Sequence, residues 1–402
     1  AHSPRHCGRL APHRTTMAAL VDLDNLLVTD GLIDQLMAKV GAKILEAGWT
    51  GLDGNPTAES LELWGVPLAS AAAANGGKGT QEARLVVAKF LRARDMDVES
   101  AAGMLCDCLR WRRDFGVADI ESEDFGAAFE GHDHIYGVDL QGRPIVLSCF
   151  GTMDVEDVFG DADRFLRWRV QLMERAIKRL QPWKQGSPET LMQIHDYKDC
   201  VVIGKDKRIS EAVKVFTACM SNNYPEMKGQ TVFINFPWIF GALFAALAVF
   251  IPDKTKSKFV MLGPTDPSRG ELLDFVPPHY LPQRYGGLLA DDRAAAEAAA
   301  GELVAAERIA MGARSCETRT VDVPAGGSVR FVIRVLAHGV KVTYTANGET
   351  YDGSSGEPVG ATEGAADAEG ACMISAESGV VQREVAVAKG GTVVFTLDNS
   401  FS

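Results

Sequence analysis

The sequence contains no Cys-x-x-Cys pair, and its eight cysteines are scattered over 402 residues. This absence argues against zinc modules built on such pairs. Scattered cysteines within apolar stretches are typical of buried free thiols in a reducing compartment. Basic residues are too few to balance the acidic ones, and the formal net charge is -12. That charge argues against general nucleic-acid binding and against attachment to anionic membranes by overall charge.

A long uninterrupted apolar helix is also missing. Residues 232–251 carry no charge and have about the length of a membrane span. Pro237 interrupts this run early, and proline breaks a helix and fits poorly inside a strand. We therefore predict a strand over residues 231–236 and an apolar helix over residues 238–250. Each is too short to span a bilayer.

The N-terminal 80 residues are predicted to be an extension to the folded core. Residues 1–16 contain no acidic residue, which is the composition of a transit-peptide remnant; the alternative is a fragment whose natural start is Met17. Apolar residues at helical spacing predict an amphipathic helix over residues 31–47. The stretch 69–80 is rich in glycine and alanine and is predicted to be a linker.

The central part of the chain changes from helical to mixed patterning. Residues 81–130 show helical apolar stripes, with Asp97 as a predicted N-cap between two helices. Residues 131–289 alternate short apolar strands with helices, which predicts a largely parallel sheet covered by helices. An alanine-rich connecting helix is predicted over residues 290–315.

Residues 316–402 alternate in period two between glycine-rich turns. This pattern predicts an antiparallel β-sandwich. Residues 347–370 are acidic, rich in small residues and without periodicity, so we predict a long loop there. The predicted fold class is therefore multidomain, with a helical lobe, an α/β domain and an all-β sandwich.

Several motifs in this order resemble a known family. The motifs are Phe90-Leu91-Arg92-Ala93-Arg94, Tyr224-Pro225-Glu226-Met227 and Asn235-Phe236-Pro237-Trp238. They resemble the CRAL-TRIO lipid-binding family, and the terminal sandwich looks like a GOLD domain. The combination is similar to the patellins, which are plant-type phosphoinositide-binding proteins of membrane trafficking. The resemblance implies that a mobile apolar helix gates a cavity that holds one lipid.

The resemblance also implies a lipid headgroup site. The family positions that recognise phosphatidylinositol are matched here by the set Arg94, Glu226, Thr255 and Lys258. The chemistry is reasonable, because a carboxylate accepts hydrogen bonds from inositol hydroxyls while lysine and arginine neutralise phosphate. A second interpretation is an ion pair between Glu226 and Lys258 that links a helix end to a strand.

Acyl chains are expected to lie against large apolar residues. The predicted cavity and gate residues are Phe216, Phe233, Trp238, Phe244 and Phe250. Lys254 and Lys256 follow the apolar helix directly, and each lysine near an anionic surface contributes about 1 kcal/mol. We therefore predict that these two lysines dock the protein on membranes. The alternative is that the apolar helix is ordinary buried core.

Some residues depart from the family pattern. Asp95 follows Arg94 where transfer proteins often add a basic residue, which would weaken phosphate binding. Leu191 and Gln193 stand where phosphatidylcholine-binding members place small hydroxyl residues. Exchange of choline lipids is therefore not expected.

Two other candidate sites have weaker support. His132-Asp133-His134 is the start of a possible metal site, but no third ligand has suitable spacing, and we predict a solvated turn. His195-Asp196 closes a strand at the carboxyl edge of the sheet, where ligands often bind. No nucleophile elbow accompanies it, which argues against a hydrolase.

The sequence thus predicts a non-enzymatic, cytoplasmic lipid carrier or sensor that contacts membranes peripherally. It would need no cofactor, and phosphatidylinositol or a phosphoinositide would be its bound phospholipid. A protein partner would meet the sandwich or the N-terminal helix, and no nucleic acid is expected. Two alternatives remain: a non-exchanging subunit of a larger assembly, and a carrier of another apolar ligand such as a prenyl lipid or retinoid.

Overall fold

The computed structural model of the protein describes most of the chain. The described residues are 28–46, 61–68, 80–180, 183–200, 206–236, 258–263, 270–291, 311, 314–335, 338–356, 358–359, 373–375, 378, 380–387 and 389–399. They form two compact units. The first takes its described residues from 1–119, 182–185 and 217–226, and the second from 120–181, 186–216 and 227–402.

Helices dominate the first unit. Its elements are the helices α1 (Asp30–Glu46), α2 (Gln81–Arg92) and α3 (Val98–Phe115) and a hairpin of β1 (Glu62–Leu63) and β2 (Val66–Pro67). Asp97 caps α3 as predicted, because its Oδ1 accepts a hydrogen bond of 2.7 Å from the Ser100 amide. The predicted amphipathic helix is α1, in which Leu36 and Val40 are fully buried. Trp64 stacks on Phe90 in the core of this unit.

A mixed sheet forms the centre of the second unit. Its strands are β3 (Asp133–Val138), β4 (Pro144–Cys149), β5 (Leu191–Asp196), β6 (Lys228–Ile234) and β7 (Phe259–Met261), in the spatial order β3-β4-β5-β6-β7. The strands β4 to β7 pair in parallel, which confirms the predicted parallel sheet. β3 pairs antiparallel to β4 because a short turn joins them.

One face of this sheet is apolar and is covered by the segment that follows β7. We call this the apolar face; its residues are Ile145, Leu147, Met192, Ile194, Val232 and Ile234. Residues 270–289 pack on it through Leu272, Val276 and Leu281 in a chain of short 3-10 turns. Gly287 is required here, since a Cβ at this position would lie 1.8 Å from the Leu281 carbonyl oxygen.

Helices pack on the other face. They are α4 (Val155–Phe159), α5 (Ala162–Lys178) and α6 (Lys207–Asn223). Asp161 caps α5 by accepting hydrogen bonds from the amides of Asp163 and Arg164, each 3.0 Å. Phe165 and Trp168 of α5 pack with Ala212 of α6 in a common apolar cluster.

The C-terminal strands form two antiparallel sheets around one core. The strands are β8 (Cys316–Val323), β9 (Gly327–Arg334), β10 (Gly339–Ala346), β11 (Glu349–Asp352), β12 (Met373–Ser375), β13 (Val380–Val387) and β14 (Gly391–Asp398). One sheet has the order β11-β10-β14-β8 with β12 also paired to β10, and the other pairs β13 with β9. Tyr344 and Phe395 of the first sheet share a cluster with Val385 of the second. The predicted β-sandwich is therefore confirmed.

The predicted loop over residues 347–370 is wrong at its start. Asn347 and Gly348 both have positive φ, 53° and 85°, and they join β10 to β11 in a hairpin. Asn-Gly favours this kind of tight turn. Only four strand residues follow it in β11, which is too few for alternation to predict the strand.

Polar contacts join the sandwich to the segment that covers the apolar face. Arg334 of β9 forms an ion pair of 3.0 Å with Asp274. Gln382 of β13 donates a hydrogen bond of 3.0 Å to the Gly286 carbonyl oxygen. The sheet β9–β13 therefore rests directly on the segment that seals the apolar face.

Several predicted elements fall outside the described residues. These are the N-terminal segment 1–16, most of the linker 69–80, the apolar helix 238–250 and most of the connecting helix 290–315. No helix within the described segments is both long and apolar enough to cross a membrane.

Candidate functional site

The second face of the mixed sheet carries polar and aromatic side chains. In parallel strands, residues paired in register point to the same side. Gln193 therefore lies beside Thr231, and His195 beside Phe233, in adjacent rows. We call this the polar face; its residues are Val146, Ser148, Gln193, His195, Lys228, Thr231, Phe233 and Phe259.

The two described residues of the predicted acyl cavity lie on this face. Phe216 of α6 lines a small recess together with Gln193 of β5 and Arg169 of α5. The Phe233 ring lies 5.3 Å from the His195 ring, centroid to centroid. The space inside this recess is about what one water molecule needs, so by itself the recess does not hold a lipid chain.

A buried ion pair anchors α5 over the polar face. Arg169 Nη1 donates to both carboxylate oxygens of Asp133 at 2.8 and 2.7 Å. It also donates to Ser148 Oγ at 3.2 Å, and the two charged side chains are each 5% exposed. The expected solvated turn at residues 132–134 is therefore wrong at Asp133, which begins β3 and is buried. The overlooked signal is an arginine within the apolar stripe of a helix.

Aromatic rings crowd around His195. The Phe150 ring lies 5.3 Å from it and 5.2 Å from the Tyr197 ring. The His195 ring keeps some accessible surface, but the atoms around it desolvate it. Burial, and then the charges of Arg169 and Lys228, lower the pKa of His195 well below 6.5, so this histidine is neutral near pH 7.

Two lysines meet at the amino ends of β6 and β7. Lys258, predicted to bind the headgroup, donates from Nζ to the Lys228 carbonyl oxygen at 3.1 Å. Lys228 Nζ lies 5.8 Å from the centre of the Phe259 ring. Lys228 is exposed at the surface, but neighbouring protein atoms desolvate its ammonium and lower its pKa, and Lys258 and Arg169 lower that pKa further by repulsion. This end of the polar face is therefore electropositive.

Two other predicted headgroup residues, Arg94 and Glu226, belong to the first unit. Glu226 has a positive φ of 50°, and its carbonyl oxygen accepts a hydrogen bond of 3.1 Å from Lys89 Nζ. Lys89 is fully buried, and its ammonium lies 5.5 Å from the Trp183 ring centre. Arg94 donates to the Ala93 carbonyl oxygen at 2.9 Å. Lys89 therefore supports the backbone at Glu226, a role that its position in an apolar helical stripe could have suggested.

The remaining predicted site residues lie outside the described segments. They are Thr255, the gate residues Trp238, Phe244 and Phe250, and the docking residues Lys254 and Lys256. Their roles stay predictions.

The two lesser candidates of the sequence have structural partners. His132 bonds to Thr152 Oγ1 at 3.1 Å, and His134 bonds to the Gly131 carbonyl oxygen at 2.9 Å. No group of metal-ligating side chains occurs within the described segments. Asp196 accepts hydrogen bonds from Tyr285 Oη at 2.5 Å and from Asn235 Nδ2 at 2.7 Å. Asp196 thereby ties the carboxyl end of β5 to the cover of the apolar face.

The chain matches known proteins over the segment that contains this sheet. Residues 129–287 match the CRAL/TRIO domain. Patellin-4 of Arabidopsis thaliana is 31% identical over 349 residues, which cover 85% of this chain and 59% of Patellin-4. Patellin-6 of the same plant is 33% identical over 241 residues, 58% of this chain and 56% of that protein. The chain thus spans little more than half the length of these patellins.

A second group of relatives is matched over most of its length. The phosphatidylinositol transfer protein SFH5 of Cryptococcus neoformans var. neoformans serotype D is 30% identical over 279 residues, covering 65% of this chain and 88% of that protein. The crystal structure of Sfh5 superposes with a TM-score of 0.53 at 22% identity, covering 65% of this chain and 87% of the other, which shows a shared fold. With these matches, the chain belongs to the CRAL-TRIO family of lipid-binding and transfer proteins and is patellin-like.

Proposed function

We propose that the protein is a non-enzymatic, phosphoinositide-binding lipid carrier or sensor that acts at membranes in trafficking. The observation that carries the proposal is the polar face of the mixed sheet. It combines aromatic rings at His195 and Phe233 with the cation of Lys258 at one end. A phospholipid needs this combination, because acyl chains require apolar contact and the phosphate requires a cation.

The relatives support the chemical class of the ligand. SFH5 is named a phosphatidylinositol transfer protein, and 88% of its length aligns with this chain at 30% identity. Arg94, Glu226, Thr255 and Lys258 would contact the inositol phosphate. The C-terminal sandwich, which we propose to be GOLD-like, would contact membranes or a protein, and Lys254 and Lys256 would add membrane-docking cations. The protein would be cytoplasmic and peripherally membrane-associated.

The proposal is tested by identifying the lipid that co-purifies with the protein. We expect mass spectrometry to detect phosphatidylinositol or a phosphoinositide in the wild type. The double variant Glu226→Ala, Lys258→Ala should lose most of it, because it removes one carboxylate and one cation from the headgroup site. Thermal unfolding of the variant serves as the control for folding.

Other outcomes would favour the alternatives. A stable protein complex without lipid would indicate a fixed assembly subunit. A prenyl lipid or retinoid in both wild type and variant would show that the cavity holds another apolar ligand. Either result would overturn the phosphoinositide proposal.

A further inference from the structure

Lys228 is a cation that the family motif does not assign to the headgroup. It is the first residue of β6, two positions after Glu226, and it pairs with Leu191 just before a β-bulge that shifts the register of β6. Leu191 points to the same side as Gln193, because alternate residues of a strand share a face. The Lys228 side chain therefore emerges on the polar face, at the end where Lys258 enters β7.

Geometry brings the two lysines together. Lys258 Nζ reaches across the start of β6 to the Lys228 carbonyl oxygen, 3.1 Å away. Lys228 Nζ lies 5.8 Å from the Phe259 ring centre, and Phe259 directly follows Lys258 in the chain. Both ammonium groups are thus fixed at the amino ends of neighbouring strands, with an aromatic ring beside one of them.

The charges around Lys228 are of one sign. Lys228 keeps exposed surface, but desolvation by neighbouring atoms lowers its pKa, and the cations Lys258 and Arg169 lower it further. Arg169 has its own counterion in Asp133. Within the described segments, no carboxylate forms an ion pair with Lys228. The neighbouring ammonium groups of Lys228 and Lys258 repel each other, and an anion bound between them would remove that repulsion.

We propose that Lys228 and Lys258 form a phosphate-binding pair at the amino ends of β6 and β7, and that the phosphate belongs to an anionic lipid headgroup. This inference rests on the proposed function and deepens it, since it assigns a second phosphate contact and a basis for selectivity. Lysine binds phosphate as a point charge through charge-assisted hydrogen bonds. Two such charges favour an anionic headgroup over a zwitterionic one, whose choline group they repel.

The test measures headgroup selectivity. The full chain is incubated with vesicles that contain phosphatidylcholine and phosphatidylinositol, re-isolated, and analysed for both bound lipids. Lys228→Met should lower the ratio of phosphatidylinositol to phosphatidylcholine about tenfold or more, the effect of losing one charge-assisted hydrogen bond. Lys228→Arg should retain most of the wild-type ratio, because it restores the charge.

A matched control separates this local effect from loss of charge in general. Lys214 is an exposed lysine of α6 in the same compact unit, so Lys214→Met removes the same charge. It should leave the ratio unchanged. Circular dichroism and thermal unfolding establish that each variant is folded.

The outcomes separate this inference from the proposed function. If the wild type carries phosphatidylinositol and Lys228→Met keeps the wild-type ratio, the lysine pair is overturned while the lipid-carrier proposal stands. If the wild type carries neither lipid, both fail. Calorimetry with inorganic phosphate covers the other source of the anion. Binding that requires Lys228, with no phospholipid recovered, would overturn the lipid assignment and leave a site for free phosphate.

Discussion

The two faces of the mixed sheet are made by the same strands but differ in what they bury. The apolar face places Leu147, Ile194 and Val232 beneath the 270–289 segment. The polar face places Gln193, His195 and Thr231 in the corresponding rows. Alternation within a strand separates the two sets, so the stability of the sheet and its chemistry can be encoded in adjacent residues of one strand.

The difference also shows how each face satisfies its polar groups. On the apolar face, the Tyr285 hydroxyl donates a hydrogen bond to the Asp196 carboxylate at the carboxyl end of β5. On the polar face, Asp133 neutralises Arg169 of α5. At the other end of this face, no carboxylate of the described residues forms an ion pair with Lys228. The first arrangement is complete without a ligand, whereas the phosphate that we propose would complete the second.

The largest expected effect comes from breaking the ion pair of the polar face. Asp133→Ala leaves the Arg169 guanidinium buried without a counterion, which should lower the free energy of unfolding by about 3–5 kcal/mol. Chemical denaturation of the full chain measures this loss of stability. The double variant Asp133→Leu, Arg169→Met should recover most of the loss, because it removes both charges. A single variant as stable as the wild type would show that the pair is solvated.

A smaller loss of stability is expected where Asp196, at the carboxyl end of β5, contacts the segment that covers the apolar face. Tyr285→Phe removes the hydrogen bond from the Tyr285 hydroxyl to Asp196 and should lower the free energy of unfolding by about 1–3 kcal/mol. Tyr280→Phe is the matched control, because the Tyr280 ring also packs on the apolar face and its hydroxyl makes no hydrogen bond within the described residues. Equal losses in the two variants would contradict the role given to the Asp196 contact.

The smallest expected effect is a pH dependence that belongs to the polar face. The folded-state pKa of His195 lies well below the unfolded value of 6.5, so only the unfolded chain takes up this proton as the pH falls below that value. Stability should therefore fall with decreasing pH, by at most about 1.4 kcal/mol per pH unit from this group. The charges that face it are Arg169 of α5 and Lys228 of β6.

The variant His195→Phe isolates this contribution. Unfolding curves at pH 7 and pH 5 should differ less for the variant than for the wild type, since phenylalanine does not titrate. An identical pH dependence in the two proteins would show that the pKa of His195 is the same in the folded and unfolded states.

Patterns local in sequence predicted much of the fold. Strict alternation with glycine-rich turns predicted the sandwich, and helical stripes ending at Asp97 predicted the boundary between α2 and α3. The exceptions had local causes too. The Asn347-Gly348 hairpin joins β10 to β11, and the four residues of β11 are too few for alternation to reveal this strand. Asp133 lies between two histidines, and its burial depends on an arginine 36 positions away in the chain.

Sequence patterns alone predicted the order of the elements and the family, and they suggested the chemical type of the headgroup residues that we propose. Periodicity and short motifs are properties of neighbouring residues, so they survive without coordinates. The folded structure was needed to show which face each polar residue occupies, that Lys258 contacts Lys228, and that Asp133 neutralises Arg169. Those facts depend on strand register and on which helix crosses which strand, and contacts between residues distant in the chain set both.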